Sequence, residues 1–131
     1  MFETVLFPVD QSRETRQAIE TVVKLVKFHN SRLVLLSVVE SEVVEGVMSS
    51  PEAIAELLTT VKSLFTQQGL ETEAIEREGK PAFTICDVAD EIEADVIVMG
   101  CRGMGLTEEG AAESVTNRVI NLSPCPVLVV P

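Results

Sequence analysis

The chain has 131 residues, a formal net charge of −11 and 46% hydrophobic residues. This composition is typical of a soluble globular protein with one domain over residues 1–131, and no apolar run approaches the ~20 residues that span a membrane. A field of this sign repels nucleic acid and anionic lipid, so we expect neither as a partner.

Apolar runs and helical stripes alternate along the whole chain. Short runs rich in β-branched residues predict strands, and apolar residues three or four apart predict helices. A cap at Ser12 and the sequence Ser50-Pro51 are helix starts, and Gly69 is a helix stop. The first half is predicted to contain a strand at Thr4–Asp10, a helix over about 13–29, a strand at Arg32–Val39, a loop at 40–50 and a helix from Pro51 to Gly69. The second half is predicted to contain a polar edge strand at Leu70–Glu78, a helix after Pro81 and a strand at Ala94–Gly100. A glycine loop, a helix at about Ser114–Asn121 and a strand at Cys125–Pro131 complete the chain.

This order predicts an α/β fold with a doubly wound parallel sheet and helices on both faces. Phe83, Ile85, Val88 and Ile92 are the candidates for the buried face of the third helix. Ligands of such sheets bind at the carboxyl ends of the strands, where the winding direction reverses. The strand ends concerned are Pro8–Asp10, Ser37–Val39 and Met99–Gly103.

Four segments taken together resemble the universal stress protein family: VLFPVDQS, LVLLSVVE, GKPAFTICDVADEIEADVIVMGCRG and ESVTNRVINLSPCPVLVVP. The resemblance covers the chain apart from about residues 40–70. It implies a Rossmann-like five-stranded sheet in the order 3-2-1-4-5 and a regulatory role exerted through protein partners. It also implies a homodimer formed through the C-terminal strand Pro126–Val130, unless a loop covers that edge.

One branch of this family binds ATP through the motif G-x2-G-x9-G-[ST]. Gly100, Gly103 and Ser114 match it, whereas Glu113 stands where the third glycine belongs. In ATP-binding relatives, the residue at Asp10 contacts the adenine edge and the one at Val38 lines the base pocket. The glycines admit ribose and phosphate, and the positions of Glu113 and Ser114 donate to phosphate. The expected nucleotide-binding residues are Pro8, Val9, Asp10, Val38, Met99, Gly100, Arg102, Gly103, Glu113, Ser114, Val115 and Thr116.

Glu113 is the departure that decides which nucleotide is expected. A carboxylate about 5 Å from one phosphate charge costs roughly 3 kcal/mol at an effective dielectric constant near 20, and well under ~1 kcal/mol if it turns into solvent. A magnesium ion bound with ATP offsets part of this repulsion. As an alternative, an acid at a helix N-terminus stabilises the helix by ~0.3–1 kcal/mol and substitutes for the missing phosphate. We therefore expect ATP binding to be weakened, with ADP or AMP affected less.

Simpler interpretations remain open at each position. Asp10 also suits a helix-entry turn, Gly100 and Gly103 a tight turn, and Ser114 a helix N-cap. His29 suits a structural role near a helix C-terminus. The thiols of Cys86, Cys101 and Cys125 lack metal-site spacing, and the start of the chain lacks the features of a signal peptide, which favours reduced thiols in the cytoplasm.

Two other functions compete with nucleotide sensing. One is a dimeric stress or signalling module that binds no nucleotide and acts only through protein partners. The other is an enzyme, for which slow ATP hydrolysis is the most that the sequence supports, because no general base is poised at the phosphate loop. Glu113 is the nearby candidate, and a carboxylate that touches the phosphates would obstruct binding more readily than assist hydrolysis.

Overall fold

The computed structural model describes residues 2–9, 13–39, 51–100 and 111–131. The predicted loop at 40–50, the cap at Ser12 and the glycine loop at 101–110 lie outside these residues. In chain order the elements are β1 Thr4–Pro8, α1 Arg13–His29, β2 Arg32–Val39, α2 Pro51–Gln67, β3 Thr72–Glu78, α3 Pro81–Glu91, β4 Val96–Gly100, α4 Ala111–Leu122 and β5 Val127–Val130.

The five strands form one parallel sheet in the order β3-β2-β1-β4-β5. This confirms the predicted α/β class and strand order, with the polar strand β3 at one edge and β5 at the other. The ladder between β2 and β3 is the longest, running from Leu33–Thr72 to Val39–Glu78. The pairs Ile97–Val127 to Gly100–Val130 hold β5 against β4.

Successive side chains along each strand point to opposite faces of the sheet and pack into two separate hydrophobic cores, one on each face. Val5, Phe7 and Leu35 pack with residues of α1 and α2, whereas Leu6 and Leu36 pack with residues of α3 and α4. Phe7 meets Phe65 of α2 edge to face, with ring centroids 6.2 Å apart. Both faces are therefore covered by helices, which is why the central strands read as continuous apolar runs.

The buried face of α3 differs from the predicted one. Ile85 and Val88 are buried, as expected, but the side chain of Phe83 is 48% exposed. The buried stripe also contains Ala82, Cys86 and Ala89, and Ile92 packs at its edge. Residues 82, 85, 86 and 89 follow the i, i+3, i+4, i+7 spacing of one helix face, and Phe83 lies about 100° round the helix from Ala82. The predicted assignment of Phe83 to the buried face of α3 is therefore wrong.

The helix stop at Gly69 is confirmed. Gly69 has a φ of 79°, a conformation that residues with a Cβ rarely adopt. The N–H of Gly69 donates to the carbonyl of Thr66, and the N–H of Leu70 donates to that of Phe65. This is the Schellman arrangement, which satisfies carbonyls at the end of α2 and turns the chain into β3.

Across the described ranges, none of the helices combines the length and apolar character needed to cross a membrane.

Candidate ligand site at the carboxyl ends of β1 and β4

The winding direction of the sheet reverses between β1 and β4. The connections through α1 and α2 lead from β1 toward β3, and those through α3 and α4 lead back toward β5 on the other face. A doubly wound sheet places its ligand crevice outside the carboxyl ends of the two strands at such a reversal, which here are β1 and β4. Pro8 and Gly100 are the last residues of these two strands.

Pro8 explains why the two strands separate at this point. The backbone of Thr4 faces β4, because its carbonyl accepts from the N–H of Asp95 at 2.8 Å and its own N–H donates to the Asp95 carboxylate at 2.8 Å. Backbone groups alternate in direction along a strand, so Pro8, four residues on, also faces β4. Proline has no N–H to donate to that neighbour.

The pairing registers agree with this reasoning. Within the described residues, β1 pairs with β4 only at Val5–Val96 and Leu6–Ile97. The ladder between β1 and β2 continues to Pro8–Leu36, and the N–H of Val9 then donates to the carbonyl of Leu36 at 2.8 Å. The described end of β1 therefore stays paired with β2 and not with β4, at the strand ends where such a crevice is expected.

The expected side chains at the strand ends lie on different faces. Val9 is 6% exposed and packs into the core of α1 and α2, so its side chain is not available to a ligand at the strand ends. Val38 and Met99 lie on the opposite face, against the core of α3 and α4. Val38 is half-buried and Met99 is buried, so Val38 has the more accessible apolar surface of the two.

Helix α4 begins at Ala111, three residues before the predicted start. Ser114 is therefore the fourth residue of the helix, and the interpretation of Ser114 as the N-cap is wrong. Among the described residues, the N–H groups of Ala111, Ala112 and Glu113 have no acceptor within α4, as in the first turn of any helix. These donors and the positive end of the helix dipole favour an anion.

Thr116 joins the start of α4 to the end of β4. Its hydroxyl donates to the carbonyl oxygen of Gly100 at 3.2 Å, and the residue is 5% exposed. Val115 is half-buried and packs against the core of α3 and α4. Neither the proline that ends the β1–β4 ladder nor this threonine tie followed from the sequence pattern, although both residues stand within the segments that carry the family resemblance.

The remaining expected residues are not open to structural description. Asp10, Arg102 and Gly103 lie outside the described residues, as does Cys101. For Glu113 and Ser114 the structure gives the helical backbone and not the side chains.

The two described thiols show no sign of activation. Burial raises the pKa of Cys86, and the nearby Asp87 and Cys125 raise it further. Burial also raises the pKa of Cys125, against a smaller opposing effect of its contact with Ser123. Because the thiolate is the nucleophile, neither residue is poised for covalent catalysis. Over the described ranges, no three His, Cys, Asp or Glu side chains form a group that would hold a metal ion.

Comparisons with known proteins agree on one family. The model of the universal stress protein family matches residues 1–131. The universal stress protein Sll1654 of Synechocystis sp. is 63% identical over 137 residues, covering 100% of this chain and 87% of that protein.

Two solved structures show the same fold. The universal stress protein UspA from Lactobacillus plantarum is 25% identical with a TM-score of 0.75, and the match covers 99% of this chain and 98% of that one. A universal stress protein from Archaeoglobus fulgidus in complex with dAMP is 22% identical with a TM-score of 0.77, over 100% of both chains.

Proposed function

The chain belongs to the universal stress protein family, and from that premise we propose that it is a regulatory protein that binds an adenine nucleotide between β1 and β4. The observation that carries the proposal is that the described β1–β4 pairing ends at Leu6, before Pro8, at the point where the sheet reverses its winding. The archaeal neighbour of the same fold was solved with dAMP, which suggests adenylates as the first ligands to test.

The base half of the proposed site lies against the α3 and α4 face. Val38 offers half-buried apolar surface there, and Met99 packs behind it in the same core. A purine ring needs a flat apolar wall together with a few polar groups at its edge. We assign the polar contact to Asp10, which follows directly on Pro8 and Val9, and we assign Arg102 and Gly103 to the loop around the ribose and phosphate.

The phosphate half is formed by the first turn of α4. The N–H groups of Ala111, Ala112 and Glu113 are the donors that an adenylate phosphate would accept from, and the helix dipole adds to their effect. The residues present thus fit a nucleotide with one phosphate. ATP would bring more negative charge, with its magnesium ion, to a helix turn that itself contains the Glu113 carboxylate.

The test is isothermal titration of ATP with magnesium, ADP, AMP and adenosine into the wild type, Glu113→Gln and Glu113→Gly. We expect the wild type to bind AMP at least as tightly as ATP. Glu113→Gln removes the charge alone and should tighten ATP binding about tenfold or more, given a repulsion of roughly 1.4–3 kcal/mol. Glu113→Gly also frees the backbone, so the difference between the two variants measures strain at this position.

Glu76→Gln is the matched control, because Glu76 is an exposed glutamate on the edge strand β3. It makes the same change in net charge and should leave every affinity unchanged. A wild type that prefers ATP to AMP by a wide margin would disprove the repulsion. Silence from the wild type and both Glu113 variants would disprove nucleotide binding and favour a module that acts only through protein partners.

The second part of the proposal is a homodimer formed through the C-terminal strand, residues Pro126–Val130. The strand β5 lies at a sheet edge, and Leu128 on it is 38% exposed. Ile120 and Leu122, in the last turns of the helix that precedes β5, are 49% and 48% exposed. An apolar edge strand with exposed apolar neighbours favours pairing with another chain, and a twin copy gives a closed two-fold assembly. We place this dimer in the cytoplasm, where its thiols would stay reduced.

A further inference from the structure

We propose that Thr116 is a positioning residue that sets where the first turn of α4 stands relative to the crevice. Through that placement it controls the part of the nucleotide affinity that depends on phosphate. This inference rests on the proposed nucleotide site and gives Thr116, one of the expected nucleotide-binding residues, a role exerted through the position of α4 and not through contact with the ligand.

The geometry of Thr116 is that of a tie between two elements. A threonine within a helix commonly bonds the carbonyl of a residue one turn earlier in the same helix. The hydroxyl of Thr116 instead reaches the carbonyl oxygen of Gly100, the last residue of β4, at 3.2 Å. With only 5% of the residue exposed, water has little access to compete for either group.

The tie spans the glycine-rich segment. Gly100 immediately precedes residues 101–110, and α4 immediately follows them. The bond between Thr116 and Gly100 therefore holds the two anchor points of that segment together. Glu113 lies three residues before Thr116, about 4.5 Å along the helix axis, so the free first-turn N–H groups stand within about one turn of the tie.

Apolar packing alone would not hold α4 in one position. Val119 is fully buried and Val115 half-buried in the core of α3 and α4, and these contacts fix which side of α4 faces the sheet. Hydrophobic contact is non-directional, so it constrains sliding along the helix axis less than a hydrogen bond does. The tie supplies that directional constraint next to the donors that a phosphate would use.

The experiment compares AMP with adenosine, because the two differ only in the phosphate. Both are titrated into the wild type, Thr116→Ser and Thr116→Val, and the free energy of unfolding of each protein is measured in parallel. Thr116→Val keeps the shape and removes the hydroxyl, whereas Thr116→Ser keeps the hydroxyl. We expect Thr116→Val to weaken AMP binding about tenfold and to change adenosine binding less than about twofold, with Thr116→Ser close to the wild type.

Thr66 provides a matched control. Its hydroxyl donates to the carbonyl of Lys62 within α2, at 3.0 Å, on an exposed surface. Thr66→Val therefore removes a threonine hydroxyl that joins no second element, and it should leave the ratio of AMP to adenosine affinity unchanged.

The outcomes separate the inference from the proposed function. A wild type that binds neither AMP nor adenosine overturns the nucleotide site and the inference with it. A wild type that binds AMP, with an unchanged affinity ratio in Thr116→Val, overturns the inference alone, even if the variant is less stable. Should Thr116→Val fail to fold, Thr116→Cys offers a weak donor of similar size for the same comparison.

Discussion

The two edges of the sheet present opposite surfaces to solvent. β3 carries alternating charge, with Glu73, Glu76, Arg77 and Glu78 all exposed. β5 is four aliphatic residues, Val127–Val130, of which Leu128 is the most exposed. A charged edge discourages pairing with a second sheet, whereas an apolar edge invites it. The two edges of the same sheet therefore differ in how strongly they favour pairing with a strand of another chain.

Charge on β3 is also held in place by neighbours. Arg32 of β2 makes a two-pronged contact with Glu73, one branch at 2.9 Å, and Arg77 contacts Glu91 of α3 at 2.9 Å. All four side chains are about half exposed, so each pair contributes little to stability. Their larger consequence is that they fix polar, charged side chains along this edge, a feature that disfavours pairing with another strand.

Placing a charge on β5, as on β3, should have the largest effect on self-association. We expect Leu128→Glu to weaken the proposed dimer by at least about 100-fold, because pairing would bury an unpartnered carboxylate. Sedimentation equilibrium of the variant and the wild type measures the change, with circular dichroism as the check that the fold is kept. Glu76→Lys, on the opposite edge, is the control and should leave the wild-type assembly intact. A wild-type chain that sediments as a monomer at all concentrations would contradict the proposal.

Removing charge from β3 should have an intermediate effect on self-association. In the Leu128→Glu background, Glu76→Val and Glu78→Val together remove two charges from β3. We expect self-association through β3 to strengthen about tenfold, since like charges facing each other across a strand pair are each unfavourable by a few tenths of a kcal/mol or more.

Light scattering over a concentration series detects this association. Glu20→Val with Glu52→Val makes the same change in composition on exposed helix positions. Equal association of both double variants would mean that overall charge, rather than the strand edge, keeps the molecules apart.

The sequence predicts most of the contrast between the charged edge at β3 and the apolar edge at β5. The polarity of the segment Leu70–Glu78 predicted an edge strand, and the structure confirms it. The position of β5 at the other edge came from the family resemblance and not from its own pattern, because a continuous apolar run is equally typical of a central strand.

The candidate site was less readable, for physical reasons. The missing N–H of Pro8 matters only because its backbone faces β4, and that depends on the strand order and register. The partner of Thr116 is sixteen residues away in sequence and is fixed by packing of α4 on the sheet. The early start of α4 reflects Ala111 and Ala112, whose high helix propensity outweighed the capping preference of Ser114. For α3, the large apolar residues alone predict Phe83 on the buried face, whereas the observed face is completed by the small residues Ala82, Cys86 and Ala89.

The smallest expected effect is the pH dependence that the Arg32–Glu73 ion pair at the β3 edge gives to the free energy of unfolding. The hydrogen bond from Arg32, with its charge, holds the pKa of the Glu73 carboxyl below its usual range, against a smaller opposing effect of burial. A carboxyl whose pKa is lower in the folded state adds stability above its unfolded pKa, about 4.3, and that stability is lost as the pH falls through the folded value. Urea unfolding of the wild type and Glu73→Gln should differ by under about 1 kcal/mol at pH 7. The difference should shrink below the unfolded pKa and vanish once the pH has fallen through the lower folded pKa. Glu76→Gln controls for the loss of one charge from the same strand. A difference that grows as the pH falls would show that the ion pair is not what orders this edge, and the contrast with β5 would then depend on charge alone.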